Sequence, residues 1–177
     1  MTGRRVLVLG GARSGKSSYA ESLLRDEPAV DYLATASADP SDADWTARIE
    51  AHRARRTSNW RTVETTDLVT QLRADSRPAL VDSITAWLTG AMDAAGVWTG
   101  DAGADDRLAA SVSATVDAWT STTRIVVAVS DEVGLGVVPE TAAGRRFRDE
   151  LGLLNQRLAA RADEVWLVTA GLPMRLK

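Results

Sequence analysis

The chain is 177 residues long, 45% hydrophobic and 25% charged, a balance that suits one soluble globular domain over residues 1–177. It holds no cysteine and one histidine, which excludes disulfide frameworks, thiolate metal sites, iron–sulfur ligation and multi-histidine metal centres. A net charge of −3, no apolar run near the ~18 residues of a bilayer span, and no secretory signal set the expectation: a cytoplasmic protein with no membrane span and no nucleic-acid partner.

In chain order, Arg5-Val-Leu-Val-Leu9 is a short continuous apolar run, the pattern of a strand buried on both faces. Gly10 to Gly15 interrupts it, and a helical pattern follows through Tyr19, Leu23 and Leu24 until Pro28. Val30 to Thr35 reads as a second strand. Asp39 to Asp44 is polar, and Trp45, Ile49, His52 and Arg56 then share a helical face. Trp60 to Glu64 reads as a short strand, with a short helix to Arg73 capped by Thr66. Ala79-Leu-Val-Asp82 is a strand ending on a carboxylate, and Ala86 to Ala95 is helical. Gly96 to Asp106, rich in Gly and Asp, reads as a mobile loop. Leu108, Val112, Val116 and Trp119 space a longer helix, and Arg124 to Val129 is the strongest strand. Asp131 to Thr141 is irregular, a long helix covers Ala142 to Ala162, and Glu164 to Val168 is another strand. Gly171-Leu172-Pro173 turns the chain into an edge strand.

Strands alternating with helices predict an α/β fold with a mainly parallel sheet covered on both faces. Ligands then bind at the carboxyl ends of the strands, here Gly10, Thr35, Asp82 and Ser130.

The segment Gly10-Gly11-Ala12-Arg13-Ser14-Gly15-Lys16-Ser17 fits the phosphate-loop pattern G-x-x-x-x-G-K-[ST] without a mismatch. It follows a strand and opens a helix, as the motif requires. Its backbone N–H groups can turn inward around a phosphate, with the helix N-terminus adding partial positive charge. Of 21 basic residues only Lys16 and Lys177 are lysines, so a lysine at this position is informative. Lys16 would reach the β- and γ-phosphates of GTP or ATP, and the Ser17 hydroxyl would ligate Mg2+. Asp82, closing its strand, is the candidate second Mg2+ ligand; the alternative is that it caps the next helix.

His52 lies among Arg48, Arg53, Arg55 and Arg56. Positive surroundings keep an imidazole neutral and nucleophilic, but residue chemistry alone favours a half-buried helix histidine beside Trp45 and Ile49. The loop from Ser130 to Pro139 follows the strongest strand and is placed to meet a substrate; the alternative is an irregular loop with no such role.

Taken together, these segments resemble the bifunctional adenosylcobinamide kinase / adenosylcobinamide-phosphate guanylyltransferase family of cobalamin biosynthesis. The matching pieces run end to end: Gly10 to Ser17, Tyr32-Leu-Ala-Thr-Ala36, Arg48-Ile49, His52, Arg56, Trp60, Glu64 and Val81-Asp-Ser-Ile-Thr-Ala-Trp-Leu88. They continue through Glu132 to Pro139, Phe147-Arg-Asp149, Gly152, Asn155-Gln156 and Ala162-Asp-Glu-Val165. The resemblance implies a P-loop, RecA-like sheet with one antiparallel edge strand, GTP or ATP with Mg2+ as co-substrate, adenosylcobinamide as the corrinoid substrate, and a homotrimer. It implies that His52 carries a covalent guanylyl intermediate. It also implies that Ala34, Thr35, Ala36, Arg53, Ala54, Arg55, Arg56, Glu64 and Asp82 contact the nucleotide. The chain departs from the family's pattern at Ala51, Ser83, Gly90 and Asp131, where His, Cys, Asn and Asn are common. Other readings are a different small-molecule P-loop kinase with His52 structural, and a nucleotide-binding regulatory module. For the module, a guanine-reading Asn-Lys-x-Asp motif is lacking.

Overall fold

A computed structural model describes residues 3–36, 58–74 and 77–177. Seven strands form one sheet: β1 (Arg5–Gly10), β2 (Val30–Ala34), β3 (Trp60–Glu64), β4 (Ala79–Asp82), β5 (Val126–Asp131), β6 (Glu164–Thr169) and β7 (Leu172–Arg175). The helices among the described residues are α1 (Lys16–Ser22), α2 (Leu68–Arg73), α3 (Ile84–Ala95), α4 (Ala104–Ser121) and α5 (Ala142–Arg161). The strand order is β3-β2-β4-β5-β1-β6-β7. All neighbours run parallel except β6 and β7, whose antiparallel pair closes one edge. The expected α/β architecture with one antiparallel edge strand is therefore present.

The strand sequences account for their positions. In β1, Val6, Leu7 and Val8 are fully buried because apolar side chains alternate between two covered faces. Leu7 and Leu9 join one core with Leu33, Val81 and Ala128, covered by apolar stripes from α2, α3, α4 and α5. Val6 and Val8 join the other with Leu80, Val127 and Val129, under Ala20 of α1 and Leu24 just beyond it. β7 is exposed along its length, and Pro173, which lacks an N–H to donate, sits there on an edge strand.

Several boundaries differ from the sequence expectation for local reasons. α1 ends at Ser22, and the chain continues in hydrogen-bonded turns, Arg25 N–H to Ser22 carbonyl among them. Asp67, not Thr66, caps α2, accepting from the Thr70 N–H at 3.0 Å. The stretch after α3, expected to be a mobile loop, is pinned. Gly96 closes α3 in the left-handed region, and the Arg107 guanidinium donates to the carbonyls of Ala95 and Ala102. β5 begins at Val126, two residues later than expected, because Arg124 has a separate task. Its guanidinium is buried, pairs with buried Asp31 at 3.0 Å, and donates to the carbonyls of Gln71 and Arg77. That cluster ties the amino ends of β2, β4 and β5 together.

β1 is flanked by β5 and β6, neither of them its neighbour in sequence. The chain leaves β1 toward β2 on one side and leaves the adjacent β5 toward β6 on the other, so the crossovers diverge between the carboxyl ends of β1 and β5, where parallel α/β sheets bind their ligands.

Candidate nucleotide site

The turn from β1 into α1 is built by two glycines that serve different ends. A Cβ on Gly10 would lie 2.4 Å from the Ser14 hydroxyl and 2.7 Å from the Val168 carbonyl of the neighbouring strand, so only glycine fits. Gly15 adopts φ +92°, a left-handed conformation that costs other residues about 1–2 kcal/mol. Gly11 is different: nothing would meet its Cβ. The fixed and variable positions of the motif thus follow from sterics. Arg13 also sits in the left-handed region, at φ 55°.

One backbone bond closes the loop on itself and two anchor it from outside. The Ser14 N–H donates to the Gly11 carbonyl at 3.3 Å, the Gly171 N–H to the Ser14 carbonyl at 2.8 Å, and the Glu132 N–H to the Gly10 carbonyl at 3.1 Å. Lys16 Nζ donates back to the Gly11 carbonyl at 3.2 Å and pairs with Asp131 Oδ1 at 2.7 Å. Asp131 ends β5 with its backbone held on both sides. Its N–H donates to Thr85 Oγ1 at 2.9 Å, and its carbonyl accepts from Asn155 Nδ2 at 3.1 Å. Asn155 is fixed in turn by the buried hydroxyl of Ser130 at 2.7 Å.

One strand away, Asp82 ends β4 and accepts a hydrogen bond on Oδ2 from the Tyr32 hydroxyl of β2. Ser83, not Asp82, caps α3, its hydroxyl accepting from the Ala86 N–H at 3.2 Å. The capping alternative for Asp82 is therefore excluded. Thr35, buried beyond the end of β2, locks this corner. Its hydroxyl donates to the Ser83 carbonyl at 2.6 Å and accepts from the Ser83 N–H at 2.9 Å. Ala34 lies opposite Glu64 in the β2–β3 register, and the Thr65 N–H donates to the Ala34 carbonyl at 2.9 Å.

The structure thus brings Gly10 to Ser17, Ala34, Thr35, Ala36, Glu64 and Asp82 to the carboxyl end of one sheet. His52, Arg53, Ala54, Arg55 and Arg56 lie outside the described residues. Sequence reasoning missed three partners: Asp131 for Lys16, Tyr32 for Asp82, and Thr85 for the Asp131 backbone. Tyr32, Thr85 and Asn155 stand among the matching family pieces, which is the only signal the sequence carries for them.

A phosphate loop at the end of a central parallel strand, beside a strand-end carboxylate, defines a P-loop nucleotide-binding α/β protein. Solved structures agree on the fold. The chain is similar to an ATPase from the type III secretion system of pathogenic bacteria, with TM-score 0.62 and 12% identity over 95% of this chain and 51% of that one. It is also similar to the ATPase EscN of enteropathogenic E. coli, with TM-score 0.60 and 12% identity over 95% and 43% of the two chains. This chain spans about half the length of those ATPases, or less, and the likeness concerns fold alone. The sequence is more specific. Residues 6–176 match the family model of CobU, cobinamide kinase / cobinamide phosphate guanyltransferase. Relatives include the bifunctional adenosylcobalamin biosynthesis protein CobU of Salmonella typhimurium, 41% identical over 97% of this chain and 99% of that protein. The CobU of Escherichia coli is 39% identical over 97% and 99%, and the CobP of Pseudomonas aeruginosa 42% over 98% and 97%. The chain belongs to the CobU family.

Proposed function

We propose that this protein carries both family activities on adenosylcobinamide. The observation that carries the reading is the end-to-end family match, joined to a phosphate loop whose lysine lies at the carboxyl ends of β1 and β5. In the first step the aminopropanol hydroxyl of adenosylcobinamide attacks the γ-phosphorus of ATP or GTP, and the nucleoside diphosphate leaves. Lys16 offsets the charge that gathers on the transferring phosphoryl group, and the loop's N–H groups orient the phosphates. In the second step an imidazole nitrogen of His52 attacks the α-phosphorus of GTP, pyrophosphate leaves, and a phosphoramidate remains. A phosphate oxygen of adenosylcobinamide phosphate then attacks that phosphorus, releasing His52 and giving adenosylcobinamide-GDP. Dividing guanylyl transfer into two displacements is the general gain of covalent catalysis. Arg53, Arg55 and Arg56 offset the triphosphate charge near His52, while Ala34 to Ala36 and Glu64 border the nucleotide.

Mg2+ fits the donors present. Ser17 and Asp82 offer hydroxyl and carboxylate oxygens, hard ligands suited to that ion. No group of three or more His, Cys, Asp or Glu side chains that could hold a metal occurs among the described residues. Mg2+ is commonly held by one or two protein oxygens together with substrate phosphates. When bound, Mg2+ would neutralise phosphate charge. The Tyr32 hydroxyl fixes the orientation of the Asp82 carboxylate for that role. On this reading residues 1–177 are one nucleotide-binding unit that works as a cytoplasmic homotrimer; no helix among the described residues is long and apolar enough to cross a membrane.

The test is covalent labelling. GTP labelled at the α-phosphate is expected to leave an acid-labile, base-resistant label on the protein, and γ-labelled GTP none. His52→Ala is expected to lose the label and guanylyl transfer while retaining cobinamide phosphorylation at least in part. Absence of label with wild-type protein, or full label on His52→Ala, overturns the guanylyl-histidine reading. Phosphorylation without either labelling or guanylyl transfer would leave a plain P-loop kinase.

A further inference from the structure

We propose that Asp131 sets the nucleotide affinity of this protein by acting as the anion that Lys16 holds until a polyphosphate displaces it. The inference rests on the phosphate-loop reading of the site and adds a residue that the motif does not contain.

The geometry is that of a displaceable counter-ion. The 2.7 Å pair joins a Lys16 side chain that is 13% exposed to an Asp131 side chain that is 30% exposed. The carboxylate is thus partly in water, where an incoming charged ligand can compete with it. The Asp131 backbone cannot retreat when Lys16 leaves. Its N–H is held by Thr85, its carbonyl by Asn155, and the next N–H, of Glu132, by the Gly10 carbonyl of the phosphate loop itself. A phosphate that takes Lys16 must therefore break an ion pair and then stand near a negative charge carried on a held backbone. The penalty grows with the number of phosphates that reach Lys16, and it is weakened by salt. The same carboxylate recaptures Lys16 when a product phosphate departs, so the pair favours release. Asp131 is a positioning residue in this scheme: it acts through Lys16 and needs no contact with substrate.

The test uses the full chain and three ligands: GMP, GDP and a non-reactive GTP analogue, each titrated calorimetrically at low and high salt. Asp131→Asn keeps the side-chain shape and removes the charge. It is expected to bind the triphosphate about tenfold tighter than wild type at low salt, with a slower off-rate. The gain is expected to be smaller for GDP, near zero for GMP, and reduced for all at high salt. Asp131→Ser, shorter and also neutral, is expected to follow the same order. A merely structural role would change the three ligands alike. Unchanged or weaker triphosphate binding by both variants, or equal gains for GMP and the triphosphate, overturns the proposal while leaving the phosphate loop standing. Lys16→Ala is the separate control. If it binds the triphosphate as wild type does, the phosphate-loop reading itself fails and takes this proposal with it.

Discussion

The sharpest test of the loop's construction is a comparison of two adjacent glycines. In Gly10→Ala the new methyl would stand 2.4 Å from Ser14 Oγ and 2.7 Å from the Val168 carbonyl, where ordinary contact begins near 3.4 Å. The serine hydroxyl can rotate away. The carbonyl cannot, because Val168 is paired with Gly10 in the β1–β6 ladder. The strand ends must separate by about 0.7 Å, or β1 must tilt, and overpacking of that kind costs about 1–3 kcal/mol. At about 2–4 °C per kcal/mol for a chain of this size, the melting temperature is expected to fall by about 2–12 °C. The separation falls where the loop leaves β1, so nucleotide affinity measured well below the melting point is expected to fall about tenfold or more. Gly11→Ala is the internal control, since no atom lies within 4 Å of the place its methyl would take. It is expected to melt within about 0.5 kcal/mol of wild type and to bind nucleotide normally. Gly10→Ala with wild-type melting and binding, or Gly11→Ala with the larger loss, would refute the steric account.

At the opposite end of the sheet, Asp31→Asn leaves the buried Arg124 guanidinium without its carboxylate and is expected to cost about 3–5 kcal/mol in thermal or denaturant unfolding. Asp31→Leu with Arg124→Met is expected to recover much of that loss, and a single variant as stable as wild type would show that the pair matters little. Acid stability is the third expectation. The Arg5 hydrogen bond holds the Asp163 carboxyl below its usual range, and the Thr70 hydrogen bond does the same for Asp67. A depressed folded pKa gives stability that is present above the unfolded value of about 4 and lost as pH falls through the folded one, so melting temperature should hold from pH 7 to about 5 and decline below about 4. Asp163 is 43% exposed, so solvent screening keeps its share small, and Asp163→Asn is expected to flatten the acid limb only slightly. A limb identical to wild type would remove Asp163 from the account.

What could be read from the sequence follows the range of the forces involved. β1, the loop after it, and the helices around Val112 and Leu154 were legible because burial on both faces or along one stripe writes a local period into the chain. The strand order was not legible: β1 lies between β5 and β6, and no periodicity states which strand is a neighbour. The same limit applies to the site. Gly10, Gly15 and Lys16 are read from a contiguous motif, whereas Tyr32 and Asp82 are 50 residues apart and meet only because β2 and β4 pair in register. Capping was half legible. Asp67 and Ser83 are ordinary cap residues, but a neighbouring Thr66 or Asp82 looks equally suitable until the backbone chooses.

Two of the long-range ion pairs among the described residues, neither visible in the sequence, differ in purpose. Asp31 and Arg124 sit at the amino ends of the strands with side chains 1% and 0% exposed, and the guanidinium is further bound by two backbone carbonyls. No ligand can reach that pair, and breaking it from within leaves a buried charge unpaired, so it serves cohesion. Lys16 and Asp131 sit at the carboxyl ends, where β1 and β5 open into loops, and both side chains keep contact with water. Water contact lowers what the pair contributes to stability and also what a competing anion must overcome to part it. The parallel sheet therefore carries a locked charge pair at one end and an exchangeable one at the other. The exchangeable pair lies where parallel α/β sheets bind their ligands.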